Sequence, residues 1–318
     1  MYCHDEGYNL QTFLSINSVL KNSNNLVFDI HIIHENPDTF LNYYEKLIHS
    51  TKINEIYLYK FNDNDNFFPN IKGKHVSVAT YYRLFIENYL PKNLKSIIYL
   101  DSDVIAIKNV DKIFQKCENE ILKSIFTIYV STEMVKQSED HDVFKNLNLV
   151  GDNYFNAGVM FIDYKKWLNQ TTIKKFLNLI DIYKENIIFW DQDILNKFFD
   201  NNFLKLSDNL NFRLYEPVNF FKLNSEAILL HYSGNAKPWT IQGGYKKSSQ
   251  YFLEIYREHF PDKFYFELNK SRSESLKLLI KLLINKEFLV TKFKLTYIIK
   301  SLKIILKDNN KKHVSYKN

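Results

Sequence analysis

Short runs of apolar, β-branched and aromatic residues alternate with amphipathic stretches over the first two thirds of the chain. Residues 26–33, 53–61, 96–100, 124–130, 158–163 and 226–231 read as buried strands. Between the early ones, residues 10–20 place Leu10, Phe13, Leu14, Val19 and Leu20 near one helical face, and residues 40–48 and 79–89 repeat the pattern. Strands alternating with helices predict a largely parallel, doubly wound sheet. In such sheets ligands bind beyond the C-terminal ends of strands, so the residues following each strand are where chemistry is expected. The first strand is short: only Met1 to His4 precede the polar Asp5, Glu6 and Gly7, where a strand usually runs to about five or six residues. Either that strand is stunted or the true start lies upstream.

Four segments carry candidate chemistry. The run Ile97-Ile98-Tyr99-Leu100 ends directly in Asp101-Ser102-Asp103. Hard divalent cations prefer oxygen ligands, and a carboxylate pair leaves positions open for phosphate oxygens. Asp-x-Asp turns are common, so the triplet alone does not settle a metal site. The second segment runs from His231 to Trp239 and again follows an apolar strand. An imidazole can ligate the same ion, a lysine at 237 can pair with phosphates, and Gly234 lets backbone approach a ligand. The third is Tyr154-Phe155-Asn156-Ala157-Gly158. Asn156 offers donor and acceptor to a hydroxyl-rich ligand; the alternative is a polar turn entering a core strand. The fourth, Trp190-Asp191-Gln192-Asp193, opens a helix, where an Asp serves either as a cap or as a ligand to sugar hydroxyls. Trp167, Trp190 and Trp239 all lie in or beside these segments, as ligand walls or as core residues.

Composition narrows the class. Of 318 residues 45% are apolar and 25% charged, as in ordinary globular proteins. Two cysteines, Cys3 and Cys117, are too few for a disulfide framework or a thiolate zinc site, which fits a reducing cytoplasm. No signal peptide and no uncharged apolar run long enough to span a membrane is read in the sequence. The seven scattered glycines form no G-x-G-x-x-G, and no P-loop, H-E-x-x-H or G-x-S-x-G is present. The net charge of +6 is unevenly placed. Residues 270–318 hold 13 basic and 3 acidic residues, net +10, whereas residues 1–269 hold 29 and 33, net −4. An acidic body with a basic tail suggests docking on an anionic surface; a solvated tail is the alternative.

Six motifs in order over roughly residues 1–240 resemble glycosyltransferase family 8, in particular its bacterial lipooligosaccharide galactosyltransferase branch. They are Asp5-Glu6-Gly7-Tyr8, Thr80-Tyr81-Tyr82-Arg83-Leu84, Tyr99-Leu100-Asp101-Ser102-Asp103, Phe155-Asn156-Ala157-Gly158-Val159, Asp191-Gln192-Asp193-Ile194-Leu195-Asn196, and His231 to Trp239. The resemblance implies an α/β fold of the nucleotide-diphospho-sugar transferase (GT-A) type over residues 1–265, with a mixed sheet flanked by helices. It further implies a UDP-sugar donor, retention of anomeric configuration, and manganese as cofactor with magnesium as the alternative. By motif, Asp101, Asp103 and His231 would hold the metal. Asp5 and Tyr8 would contact uridine, and Gly234 and Lys237 would grip the diphosphate. Ser102 would join Asp101 in donor binding, and Arg83, Asn156, Asp191 and Gln192 would line the donor sugar. Gly7 stands where the family often has Asn, and Cys3 and His4 replace small residues, which puts the uridine pocket in doubt.

Retention allows two routes. An enzyme nucleophile on the far face, Gln192 or the adjacent Asp191, would form a covalent intermediate as retaining glycosidases do. Departure and attack on one face needs no such nucleophile, and an amide is a poor one, which favours this second route with Lys237 at the leaving group. Residues 271–318 read as a basic helical appendage, with Ser273 or Ser275 as a cap, Lys300, Lys303 and Lys307 on one face, and Ile298, Leu302, Ile305 and Leu306 elsewhere. Such a helix can lie among anionic headgroups; the alternative is a helical pair packed on the catalytic domain. The expected partners are thus a UDP-sugar, a glycan or lipid-linked acceptor and an anionic membrane surface, with no nucleic acid, at the inner face of the plasma membrane. The acceptor pocket is expected in loops such as residues 133–152. Two other classes compete: a non-catalytic sugar-nucleotide-binding protein on a degenerate transferase fold, and a phosphohydrolase built on Asp101 and Asp103.

Overall fold

The computed structural model describes residues 1–62, 68, 77–136, 142–170, 172–214, 219–234, 236–261, 263–268, 271–291 and 293–307. Among them are ten strands: β1 (Tyr2–His4), β2 (Phe28–His34), β3 (Ile53–Lys60), β4 (Ser96–Leu100), β5 (Val104–Ala106), β6 (Ile128–Val135), β7 (Asn153–Asp163), β8 (Leu204–Lys205), β9 (Phe212–Arg213) and β10 (Leu229–His231). β1, β2 and β3 pair in parallel. In the set β4-β7-β6-β8, β7 runs antiparallel to both β4 and β6, while β8 is parallel to β6. Met1 joins the two sets. Its nitrogen donates to Ile98 O at 2.8 Å and its carbonyl accepts from Leu100 N at 3.1 Å, the slanted pattern of parallel neighbours. β1 and β4 therefore end at the same edge of the sheet, with Asp5 and Asp101 just beyond them.

The sheet is mixed, as the family resemblance implies, and not largely parallel, as the alternation predicts. β7 is the cause. Ten of its eleven residues are buried, and a strand covered on both faces reads the same in either direction. β7 also begins five residues before the expected 158, so Asn156 sits within a strand rather than in a turn. β6 starts at Ile128 rather than 124, because Ser124 caps off the helix Asp111–Lys123 and then accepts from Phe126 N at 3.1 Å.

The helix Asn9–Lys21 explains how the strand edge is held. Beside its apolar face it carries a buried polar stripe. Thr12 Oγ1 meets Ser102 Oγ at 2.8 Å, Ser15 Oγ donates to Val104 O at 2.6 Å, Ser18 Oγ accepts from Ala106 N at 2.8 Å, and Asn22 Nδ2 donates to Ala106 O at 3.0 Å. Positions 12, 15, 18 and 22 follow the helical repeat, so one face of the helix fastens residues 102–106 by hydrogen bonds that a buried backbone needs. Residues 79–89 form a 3-10 helix, Val78–Phe85, running into a short α-helix, Ile86–Tyr89.

The chain divides into two compact units, Met1–Phe212 with Pro217–Leu230, and Arg213–Glu216 with His231–Asn318. The division falls at Leu230, whereas the sequence reading placed the boundary between residues 265 and 271. In the second unit the helices Arg272–Ile284 and Lys294–Leu306 bury Leu279, Leu282, Tyr297, Ile304 and Ile305. The residue that caps the first of these is Ser271, in a capping box with Glu274, and not Ser273 or Ser275. Leu276, Ile280 and Ile284, four residues apart, remain exposed, as do Leu295, Ile299 and Leu306. Residues 308–318 of the expected tail lie outside the described residues. Among the described residues no helix is long and apolar enough to cross a membrane.

Candidate active site

Asp101, Ser102 and Asp103 make the tight connection from β4 to β5, closed by Val104 N donating to Asp101 O at 3.1 Å. Asp101 N donates to Gly158 O at 2.8 Å, which extends the pairing with β7 to the turn itself. His231 is the last residue of β10, whose neighbour in its three-stranded sheet is β5. One ligand atom each from Asp101, Asp103 and His231 lies within 4.8 Å of the others. Opposite ligands of an ion with bonds of about 2.1–2.3 Å sit about 4.2–4.6 Å apart, so the spread suits one cation. Two carboxylates and an imidazole suit a hard or borderline divalent ion such as manganese or magnesium. Ser102 is buried with its hydroxyl on Thr12.

Arg83 ties this turn to the rest of the site. It is 5% exposed. Its Nη1 lies 3.1 Å from Asp101 Oδ1 and donates to Ala157 O at 2.7 Å, and its Nε lies 2.7 Å from Asp191 Oδ2. The guanidinium carbon stands 4.5 Å over the Tyr99 ring, whose hydroxyl donates to Asp101 Oδ1 at 2.7 Å. Burial alone would lower the arginine's pKa, but Asp101 and Asp191 hold it above the ordinary value. Asp191 moves the other way for a carboxylate. Burial pushes it up to about 7, with Arg83 opposing and Asp101 adding to the rise.

Gln192 stands beside this pair with its whole amide engaged. Oε1 accepts from Ala157 N at 3.1 Å, and Nε2 donates to Glu133 Oε2 at 2.9 Å and to Tyr154 Oη at 3.2 Å. The same Glu133 oxygen accepts from Asn156 Nδ2 at 3.2 Å, while Asn156 Oδ1 accepts from Gly158 N and Asn211 Nδ2, both at 2.9 Å. The structure thus brings together Arg83, Asp101, Asn156, Asp191 and Gln192, and adds Tyr99, Tyr154, Asn211 and, above all, Glu133. Sequence reasoning placed Glu133 at the start of the expected acceptor loop, whereas it lies in β6 and bonds Asn156 and Gln192. Nothing nearby in sequence marks Asn211.

The rest of the Asp191 motif is scaffold. Asp193 Oδ2 accepts from Ile188 N at 2.6 Å and Phe189 N at 2.9 Å, so Asp193, not Asp191, reaches back from within the helix to the backbone before it. Asn196 clamps the backbone of Phe155, taking its N–H at 2.8 Å and giving to its carbonyl at 2.9 Å. Trp190 sits at φ +50, in the left-handed region that bulky residues rarely adopt. Such a conformation costs about 1–3 kcal/mol and persists only where its surroundings fix it. Trp167 and Trp239 are core residues, packed on Phe176 at 5.8 Å and Phe252 at 5.2 Å, and Trp190 packs against the core cluster beside Asp191 in sequence.

The remaining expected residues are placed as follows. Asp5 follows β1, and its Oδ1 accepts from Gly7 N at 2.9 Å; Tyr8 N donates to Asp5 O at 3.0 Å. Gly234 is exposed at φ +81, a conformation for which glycine is suited. Lys237 Nζ donates to Tyr232 O at 2.7 Å, which ties the loop after β10 to itself. A methyl group on Gly243 would collide with the carbonyls of Lys237 and Ala236, so the helix Ile241–Gly244 seats directly against that loop. Asn235, in the same motif, and residues 137–141 of the expected acceptor loop lie outside the described residues.

The profile of the family described as Glycosyl transferase family 8 matches residues 1–243. The chain is 29% identical over 266 residues to a lipopolysaccharide 1,2-glucosyltransferase of Escherichia coli, covering 79% of this chain and 76% of the relative. It is 27% identical over 225 residues to a lipopolysaccharide 1,3-galactosyltransferase of Salmonella typhimurium, covering 67% and 64%. In fold it is similar to the crystal structure of the galactosyltransferase LgtC with donor and acceptor sugar analogs, at a TM-score of 0.64 and 21% identity over 80% of this chain and 93% of that one. The fold is therefore of the GT-A type.

The raised Asp191 pKa yields a pH prediction. The folded chain keeps a proton on Asp191 up to about pH 7, whereas the ordinary value is 3.8. The associated stability is full at low pH and is lost as pH rises from about 4 to about 7, by at most roughly 4 kcal/mol. Denaturant unfolding across this window should show that decline in the native chain and a flatter profile in Asp191→Asn. Parallel profiles would show that Asp191 ionises normally.

Proposed function

The chain belongs to glycosyl transferase family 8 and is a glycosyltransferase of a retaining family, and on that premise we propose that it moves a hexose, galactose or glucose, from a UDP-sugar to a cell-surface glycan or lipooligosaccharide precursor. The observation that carries this reading is that one ligand atom each from Asp101, Asp103 and His231 lies within 4.8 Å of the others, a spacing at which they could hold one cation. These three would hold manganese, with magnesium as the alternative, and the ion would supply positive charge against the diphosphate leaving group. Asp5 and Tyr8 are assigned to uridine, and Gly234 and Lys237 to the diphosphate. Ser102 is assigned to the donor-binding turn, which its hydroxyl bond to Thr12 steadies.

The donor hexose is assigned to Arg83, Asn156, Asp191 and Gln192. Their side chains are held by one another and by Glu133, so they meet the sugar with little left to reorganise. Asp191 is 2% exposed and its carboxylate faces Arg83, which disfavours it as the nucleophile of a double displacement. Gln192 keeps an amide oxygen already bound to Ala157 N. Both points support attack on the face from which UDP departs, with Gln192 placing the sugar rather than attacking it.

We further propose a membrane role for the basic C-terminal region. Leu276, Ile280, Ile284, Leu295, Ile299 and Leu306 are exposed on helices that also carry Lys277, Lys281, Lys300 and Lys303. Apolar side chains set among lysines suit the headgroup layer of an anionic bilayer, where a lipid-linked acceptor would be found. The proposed location is the cytoplasmic face of the plasma membrane.

Incubation with a panel of UDP-sugars should release UDP from UDP-galactose or UDP-glucose only with manganese or magnesium present. Asp103→Asn should lower the rate about 100-fold or more. Binding of UDP-sugar without any turnover, with or without acceptor, would favour the non-catalytic reading instead. For the membrane role, Ile280→Glu with Ile299→Glu should weaken binding to phosphatidylglycerol vesicles at least tenfold and leave UDP release unchanged. Equal vesicle binding by the doubly substituted chain would remove that part of the proposal.

A further inference from the structure

The second unit contains a cavity of about 330 Å³ between the helix Gln250–His259 and the segment that joins the last two helices. That volume is at the lower end of small-molecule sites and accommodates a monosaccharide with one substituent. Its wall combines Leu253, Val290 and Phe293 with the basic residues Lys246, Lys247 and Arg257.

Two groups in this wall have unused hydrogen-bonding capacity. The Arg257 guanidinium carbon stands over the Phe293 ring, 3.8 Å from the centroid, and its Nη1 is buried with no hydrogen-bond partner among the described residues. The Thr291 hydroxyl, on a residue 5% exposed, is likewise buried and unpartnered. A buried donor without an acceptor costs about 1–3 kcal/mol, and more when it is charged. A guanidinium held against a ring, with one arm of its fork unspent, can offer that arm to an oxyanion. Glu254 and Glu258 also line the cavity, and carboxylates are acceptors for sugar hydroxyls.

We infer that this cavity binds a phosphate-bearing sugar, with the phosphate on Arg257 and Thr291 and the sugar hydroxyls on Glu254 and Glu258. Lys246 and Lys247 leave the wall one charge more basic than acidic, which suits an anion. The apolar wall packs against the ring face. Its use would be to hold a phosphorylated glycan acceptor, and that use rests on the transferase reading; phosphate-sugar binding itself does not.

The test is calorimetric titration of the full chain with glucose 6-phosphate, with neither metal nor UDP-sugar added, so that its failure leaves the donor site untouched. Binding at one site is expected. Arg257→Gln should weaken it at least tenfold, Thr291→Val about three- to tenfold, and Arg257→Lys by less than Arg257→Gln. Binding of UDP with manganese should be the same in all of them. Inorganic phosphate should bind more weakly than glucose 6-phosphate. Vesicles containing phosphatidic acid distinguish a lipid headgroup from a sugar phosphate. Affinity that Arg257→Gln leaves unchanged, equal binding of inorganic phosphate, or retention on vesicles without binding of the sugar phosphate would each overturn the proposal. Thr291→Val and Arg257→Lys carry the test if Arg257→Gln does not fold.

Discussion

A single buried guanidinium sets the geometry of the first unit. Arg83 reaches Asp101 at the end of β4, Asp191 at the start of a helix and the Ala157 carbonyl in β7. Withdrawing a charge from water is expensive unless it is paired and hydrogen-bonded, so these three acceptors must stay where Arg83 can meet them together. Ala157 is held from its other side as well, since its N–H donates to Gln192. Through this one residue of β7, the turn that carries two proposed metal ligands and the helix that carries the proposed sugar contacts become parts of one network. Burial pushes the Asp191 pKa up to about 7 against the pull of Arg83, and the neighbouring Asp101 adds to the rise.

The polar interior supplies the second constraint. Thr12, Ser15, Ser18 and Asn22 hold residues 102–106, and Asp193 and Asn196 hold residues 188–189 and Phe155. Such hydrogen bonds contribute modestly one by one, but leaving a buried partner unsatisfied is costly. The proposed site is accordingly held in place by buried side chains bonded to its backbone, which is how a preorganised polar site is kept in register.

Much of this was legible in the sequence because chemistry follows strand ends. β4 and β10 are short apolar runs, and Asp101, Asp103 and His231 sit at or just after their last residues. Strand direction was not legible, since β7 is buried on both faces and carries no alternation to orient it. The polar stripe of the first helix was hidden because serine and threonine at helical spacing resemble a solvated face. Glu133 was read as part of an acceptor loop because its partners, Asn156 and Gln192, lie 23 and 59 residues away. The C-terminal region was misread in part: periodicity and charge marked its helices, but Ile305 packs inward while Leu306 is exposed.

The proposed common purpose of Asp101, Asp103 and His231 is to hold one cation, and that of Arg83 is to keep Asp101 in place. Electron paramagnetic resonance titration of manganese in the presence of UDP measures this directly. One bound ion per chain is predicted, with affinity reduced at least tenfold in His231→Ala and measurably in Arg83→Met. Affinity that is unchanged in His231→Ala, or native protein that binds no manganese with UDP present, would contradict the account.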